Sequence, residues 1–192
     1  MSEFWVYFQI GLRHVLDIHA YDHVLFLTAL VIPFTFKDWK RILLSVTLFT
    51  LGHTTALLLS VYEIMVIKAS VVEFLIPITI LTTALFNLFT IGKSTKKEKL
   101  NLVFFITLFF GIIHGLGFSN YLQSLLGKES SIISPLFAFN IGLELGQMVV
   151  VSLVLGLGTL LAHLLPIRQK TYVRILSGII IGFVIPMLLN RW

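Results

Sequence analysis

The sequence predicts an all-α fold: a polytopic membrane helix bundle with about six transmembrane helices, forming one integral membrane domain over residues 1–192. Three observations predict it. Apolar runs of about 20 residues recur along the chain, long enough for a helix to cross a hydrocarbon core of about 30 Å and far too long for barrel strands. Hydrophobic residues make up 57% of the chain and charged residues only 12%, about half the charge of a soluble domain, with a mean hydropathy of +0.99. Basic residues also gather in alternate loops.

Taken in order, the spans read as residues 22–36, 42–61, 69–91, 100–124, 135–163 and 172–190. The first is short, and the stretch before it, Phe4 to Leu16, is apolar as well. Residues 4–36 therefore read as one long broken helix, or as an interfacial helix followed by a span, with the break at residues 17–21. Glu3 and Arg13 interrupt the first apolar stretch of the chain and no basic region precedes it, so it does not read as a signal peptide.

Lys37, Lys40 and Arg41 follow the first span. Lys93, Lys96, Lys97 and Lys99 follow the third, and Arg168, Lys170 and Arg174 follow the fifth. These ten of the fourteen Lys and Arg residues share one side if the six spans are right. The positive-inside bias places that side in the cytoplasm and both termini outside. The net charge of +5 then reflects these loops, with the lipid bilayer as partner and no nucleic acid. Absence of cysteine excludes disulfides and thiolate metal sites. Gly111, Gly115 and Gly117, the pair Gly142 and Gly146, and the pair Gly178 and Gly182 read as close helix packing. Most aromatics read as lipid-facing or core packing.

Polar side chains inside spans are costly and mark a cavity, a partner or a ligand. The N-terminal break carries His14, Asp17, His19, Asp22 and His23. The second span has His53, the fourth His114, and the fifth Asn140, Glu144 and Gln147. Counted from the basic anchors, His23, His53 and His114 lie roughly 18–23 Å in, in one layer of the outer half. Asn140 and Glu144 enter from the outside and reach the same layer. Neutral imidazole with carboxylate suits a divalent transition metal such as nickel, cobalt, zinc or iron. The expected ligands are His23, His53, His114, Asp22 and Glu144, supported by His14, Asp17, His19, Asn140 and Gln147. Asp17 or Asp22 could instead fix a histidine tautomer, and His14 and His19 could lie at the outer surface. A polar packing network or proton relay is the competing reading. Toward the basic side, beyond Thr82, Thr83 and Asn87, few polar groups are available.

No G-x-S-x-G, H-E-x-x-H, phosphate-binding loop or dinucleotide fingerprint occurs. Two active functions stay open. One is a permease that captures a divalent cation at the outer cluster and passes it inward. The other is an intramembrane metal-dependent hydrolase or transferase acting on a lipid or membrane-embedded substrate, with Glu144 or Asp22 as general base. The third is a non-catalytic polar core.

The runs Arg13-His-Val-Leu-Asp, Ala20-Tyr-Asp-His-Val-Leu-Phe-Leu, Phe49-Thr-Leu-Gly-His-Thr-Thr-Ala-Leu, Phe110-Gly-Ile-Ile-His-Gly-Leu-Gly-Phe and Phe139-Asn-Ile-Gly-Leu-Glu-Leu-Gly-Gln resemble the HupE/UreJ family of bacterial membrane proteins. The resemblance covers about residues 10 to 160 and points to the broader branch of that family. It implies the bacterial inner membrane, and uptake of nickel or cobalt in support of hydrogenase or urease maturation. It carries Asp22, His23, His53, His114, Asn140 and Glu144 into a functional role.

Overall fold

A computed structural model describes residues 2–18, 20–92, 97–126, 131–165 and 167–191. The helices, in order, are α1 (Glu3–Leu16), α2 (Asp22–Val31), α3 (Trp39–Val61, entered through a 3-10 turn at Phe36–Asp38), α4 (Ala69–Thr90), α5 (Lys97–Leu126), α6 (Ile133–Leu164) and α7 (Gln169–Asn190). No strand occurs among the described residues. Five of these helices, α3 to α7, are long and apolar enough to cross a bilayer, and the chain is a multi-pass membrane protein.

The remaining expected span, 22–36, is helical only over the ten residues of α2, about 15 Å at helical rise. The N-terminal segment is broken between Leu16 and Asp22, as the polar stretch there predicts. Pro33 ends α2 early, because proline has no N–H to give to the carbonyl four residues back. That carbonyl belongs to Ala29, and the buried Asn87 side chain donates to it at 2.6 Å. Asn87 thus repairs a helix end inside the bundle. Replacing Asn87 with leucine is expected to cost about 1–3 kcal/mol by leaving the carbonyl unpaired. In a Pro33→Ala background the cost should shrink, since alanine supplies the N–H that proline lacks. A double-mutant cycle of thermal unfolding in detergent measures that coupling. The same logic applies in α4. Pro77 lies inside it and frees the Glu73 carbonyl, which accepts from Arg191 at 3.2 Å.

Two parallel helix pairs frame the centre. In one, Gly11 of α1 lies against the Phe139 carbonyl of α6, and Gly142 of α6 lies against the Phe8 carbonyl of α1. In the other, Gly52 of α3 lies against the Leu108 carbonyl of α5, and Gly111 of α5 against the Phe49 carbonyl. Each glycine receives the carbonyl of the residue three before its partner's glycine. A Cβ at any of the four would collide with backbone, so only glycine allows these crossings. Gly146 packs on Val15 and Leu12. Gly178 and Gly182 on α7, read as packing residues, have no neighbour within 4 Å; that pair faces away from the bundle. α4 and α7 lie against each other and close the side of α2.

The turns after α2 and α6 meet at one end, where Gln169 donates to the Pro33 carbonyl at 3.0 Å and Lys170 sits over Gly92. This is the basic end of the bundle. At the opposite end Gln123 donates to the Ser60 carbonyl, and Arg191 bridges to α2 and α4.

Candidate metal centre

The two glycine crossings and the N-terminal break converge on one layer. His14 follows Gly11 by one turn on α1, His53 follows Gly52 directly on α3, and His114 follows Gly111 by one turn on α5. His23 is the second residue of α2. The imidazoles of His14, His53 and His114 therefore project beside points where backbones touch, and with His23 the four rings form one group. Ring centroids are 4.6 Å apart for His14 and His23, 5.6 Å for His14 and His53, 6.0 Å for His23 and His53, and 5.1 Å for His23 and His114.

Within the group, His14, His23 and His53 each present a ring nitrogen so that all three lie within 4.8 Å of one another. Nε2 of His14, Nε2 of His23 and both nitrogens of His53 are buried with no hydrogen-bond partner. Leaving a buried polar nitrogen unpaired costs about 1–3 kcal/mol, and here three rings that carry such atoms each bring a nitrogen to one place. The walls are aromatic. Phe118 lies 4.1 Å from the His14 ring, Phe139 6.0 Å from His53, and Phe26 and Phe49 each 5.1 Å from His114. These rings offer the imidazoles no acceptor, so a bound cation would satisfy lone pairs that nothing else does.

The expected ligand set differs from this arrangement. His114 is adjacent but outside the trio. Its Nε2 lies 2.9 Å from the Thr79 hydroxyl. That hydroxyl is also 2.7 Å from the Ile76 carbonyl and has one hydrogen to give. With the hydrogen on the Ile76 carbonyl, His114 Nε2–H donates to Thr79 and leaves Nδ1 as a buried lone pair without a partner. His114 is thus held in one tautomer, with its Nδ1 lone pair free of protein partners. His14, read as a supporting or surface residue, is a full member of the trio. Its position is legible in one signal: Gly11-x-x-His14 repeats the spacing Gly111-x-x-His114.

No carboxylate joins the trio among the described residues. Asp22 is turned to Arg191, whose guanidinium reaches its Oδ2 at 3.3 Å. The three polar residues of α6 line up instead on the threonines of α3. Thr54 donates to Asn140 Oδ1 at 2.6 Å, Thr50 to Gln147 Oε1 at 2.9 Å and Thr47 to Glu144 Oε1 at 2.7 Å. Gln147 is wholly buried and its Nε2 has no partner. This ladder descends α3 from the level of His53 toward the basic end. Asp17 is exposed beside an open pocket of about 560 Å³ that also reaches Arg13, His14 and Tyr121. His19 lies outside the described residues.

Three neutral imidazoles can bind a divalent transition ion and leave coordination positions for exchangeable ligands. The pocket borders His14 on one side of the trio, and the threonine ladder extends from it toward the basic end.

Compared with known proteins, residues 1–191 match the family model described as HupE / UreJ protein. No curated protein matches the chain, and no solved structure does.

Proposed function

This chain belongs to the HupE/UreJ family, and from that premise we propose that it binds and transports a divalent metal ion of the nickel and cobalt type, zinc being the remaining candidate. The observation that carries the proposal is the trio His14, His23 and His53, with ring nitrogens within 4.8 Å and no protein partner. The ion is cargo. It enters through the pocket at Arg13, His14 and Asp17 and is held by the three imidazoles, with His114 Nδ1 in reserve. It leaves along the ladder of Thr50 with Gln147 and Thr47 with Glu144. Glu144 supplies the first carboxylate on that route, beside a threonine six residues below His53 on α3, about 9 Å along the axis. In this reading the basic end faces the cytoplasm of a bacterial inner membrane and both termini lie outside.

The ladder favours transport over a resident catalytic metal, because a hydrolase needs its base beside the metal-bound water and Glu144 is engaged by Thr47 instead. The test is accumulation of radiolabelled nickel or cobalt in cells producing the chain. Wild type should accumulate the ion and His53→Ala should not; equal accumulation by both would end the proposal. Glu144→Gln should keep the affinity of the purified protein for the ion within a few-fold while lowering uptake at least tenfold. Loss of binding in that variant would instead return Glu144 to the ligand set.

A further inference from the structure

A second feature of the molecule lies at the basic end, away from the cluster of His14, His23, His53 and His114. α6 runs on to Leu164 while α2 stops at Val31, so the end of α6 has no helix beside it on the α2 side. The loop at residues 33–38 and the start of α7 do not fill the space, and a groove of about 460 Å³ remains. Its floor is Ile32, Leu155 and Leu176, and its wall includes Phe36 and Ala162. Along α6 it extends from Val154 to Leu165, eleven helical steps or about 16 Å. That is half of a hydrocarbon core of about 30 Å, the depth of one leaflet.

Most of the polar groups are gathered at one end; the Tyr172 hydroxyl lies lower, beside Gly158. Lys37, His163 and Gln169 stand at the mouth. Gln169 is held by the Pro33 carbonyl and His163 by Nδ1 on the Thr159 carbonyl. Thr159, lower in the groove, gives its hydroxyl to the Leu155 carbonyl and so presents no free donor. The surrounding surface is apolar and exposed: Phe36 is 51% exposed, Ile175 51% and Leu164 69%. A slot one leaflet deep, mostly apolar below and cationic at its rim, matches an amphiphile with a negative head. A water-soluble ligand would leave most of the slot uncovered.

We propose that this groove is a binding site for one anionic phospholipid of the leaflet at the basic end. An acyl chain lies along α6 between Val154 and Leu165, and the phosphate is met at the mouth by the Lys37 ammonium. Lipid held this way fills the gap left by the short α2 and braces the loop that Pro33 begins. The site is independent of metal transport.

The test is native mass spectrometry of the detergent-purified full chain. The protein is taken from vesicles of phosphatidylcholine containing a minor fraction of phosphatidylglycerol. Wild type should carry a one-to-one phosphatidylglycerol adduct. Ala162→Trp, which fills the groove, should lose the adduct. Lys37→Gln, an exposed change that leaves the fold intact, should keep a lipid but lose the preference for phosphatidylglycerol at least fivefold. No adduct on wild type would overturn the proposal. So would adducts that are unchanged in Ala162→Trp, or headgroup choice that is unchanged in Lys37→Gln, since those results describe only the general lipid shell.

Discussion

Alanine at His14, His23 or His53 is expected to abolish tight binding of nickel, cobalt or zinc by the purified protein, a loss of more than about 100-fold in affinity for each. Alanine at His114 should weaken binding only about 10- to 100-fold, the range found for groups that support ligands from outside. The ranking follows from geometry. Three ring nitrogens lie within 4.8 Å of one another, whereas one nitrogen of His114 is engaged by Thr79. Isothermal titration of each variant with the ion measures it. Thr79→Val provides a finer check. It frees His114 Nε2 without removing the ring, and should change affinity far less than His53→Ala. A ranking in which His114 matters most would replace the trio with the set that depth counting alone suggests.

The second large effect concerns the crossings that hold the site. Valine at Gly142 is expected to destabilise the bundle by about 3 kcal/mol or more, above the usual cost of overpacking. The branched side chain would meet the Phe8 carbonyl and the Leu12 amide of α1, and backbone cannot yield as a flexible side chain can. The two helices must separate, which moves His14 away from His53. Metal binding should fall with stability. Valine at Gly178, on a helix of similar apolar character but with nothing within 4 Å, should change stability by less than about 0.5 kcal/mol. Thermal unfolding in detergent of the two variants compares them directly. Similar losses at both positions would mean that the glycine contacts are not what sets the helix spacing.

Much of this architecture is legible in the residues themselves. Long apolar runs give five crossing helices, and the polar stretch at residues 17–21 marks the break between α1 and α2. Depth counted from basic anchors gathers His23, His53 and His114, because helical rise is constant and each count starts at a fixed end. The count fails for Glu144. α6 has 32 residues, more than a bilayer requires, so its first turns do not start at the same level as its neighbours. Glu144 consequently lies beside Thr47 rather than His53. His14 is hidden for a related reason. The sequence leaves open whether α1 lies on the membrane or in it, and only its glycine contact with α6 decides that. Asn87 and Arg191 illustrate a third case. Each takes a carbonyl freed by a proline on another helix, and such pairing between distant positions leaves no periodic trace in a sequence.

Gly178 and Gly182 show the limit of motif spacing from the other side. Their pattern equals that of Gly142 and Gly146, yet only the latter pair meets another helix. Small residues permit close approach; a partner surface has to be present for it to occur.

In the proposed site one divalent ion is held by the imidazoles of His14, His23 and His53, with no carboxylate among its ligands. X-ray absorption spectroscopy of the cobalt- or nickel-loaded protein in detergent tests it most directly, because scattering from imidazole rings counts histidine ligands. Three imidazoles at the ion, falling to two in His14→Ala and unchanged in Glu144→Gln, is the result expected. An ion with fewer than three imidazoles in the wild type, or one whose shell changes in Glu144→Gln but not in His14→Ala, would contradict the claim.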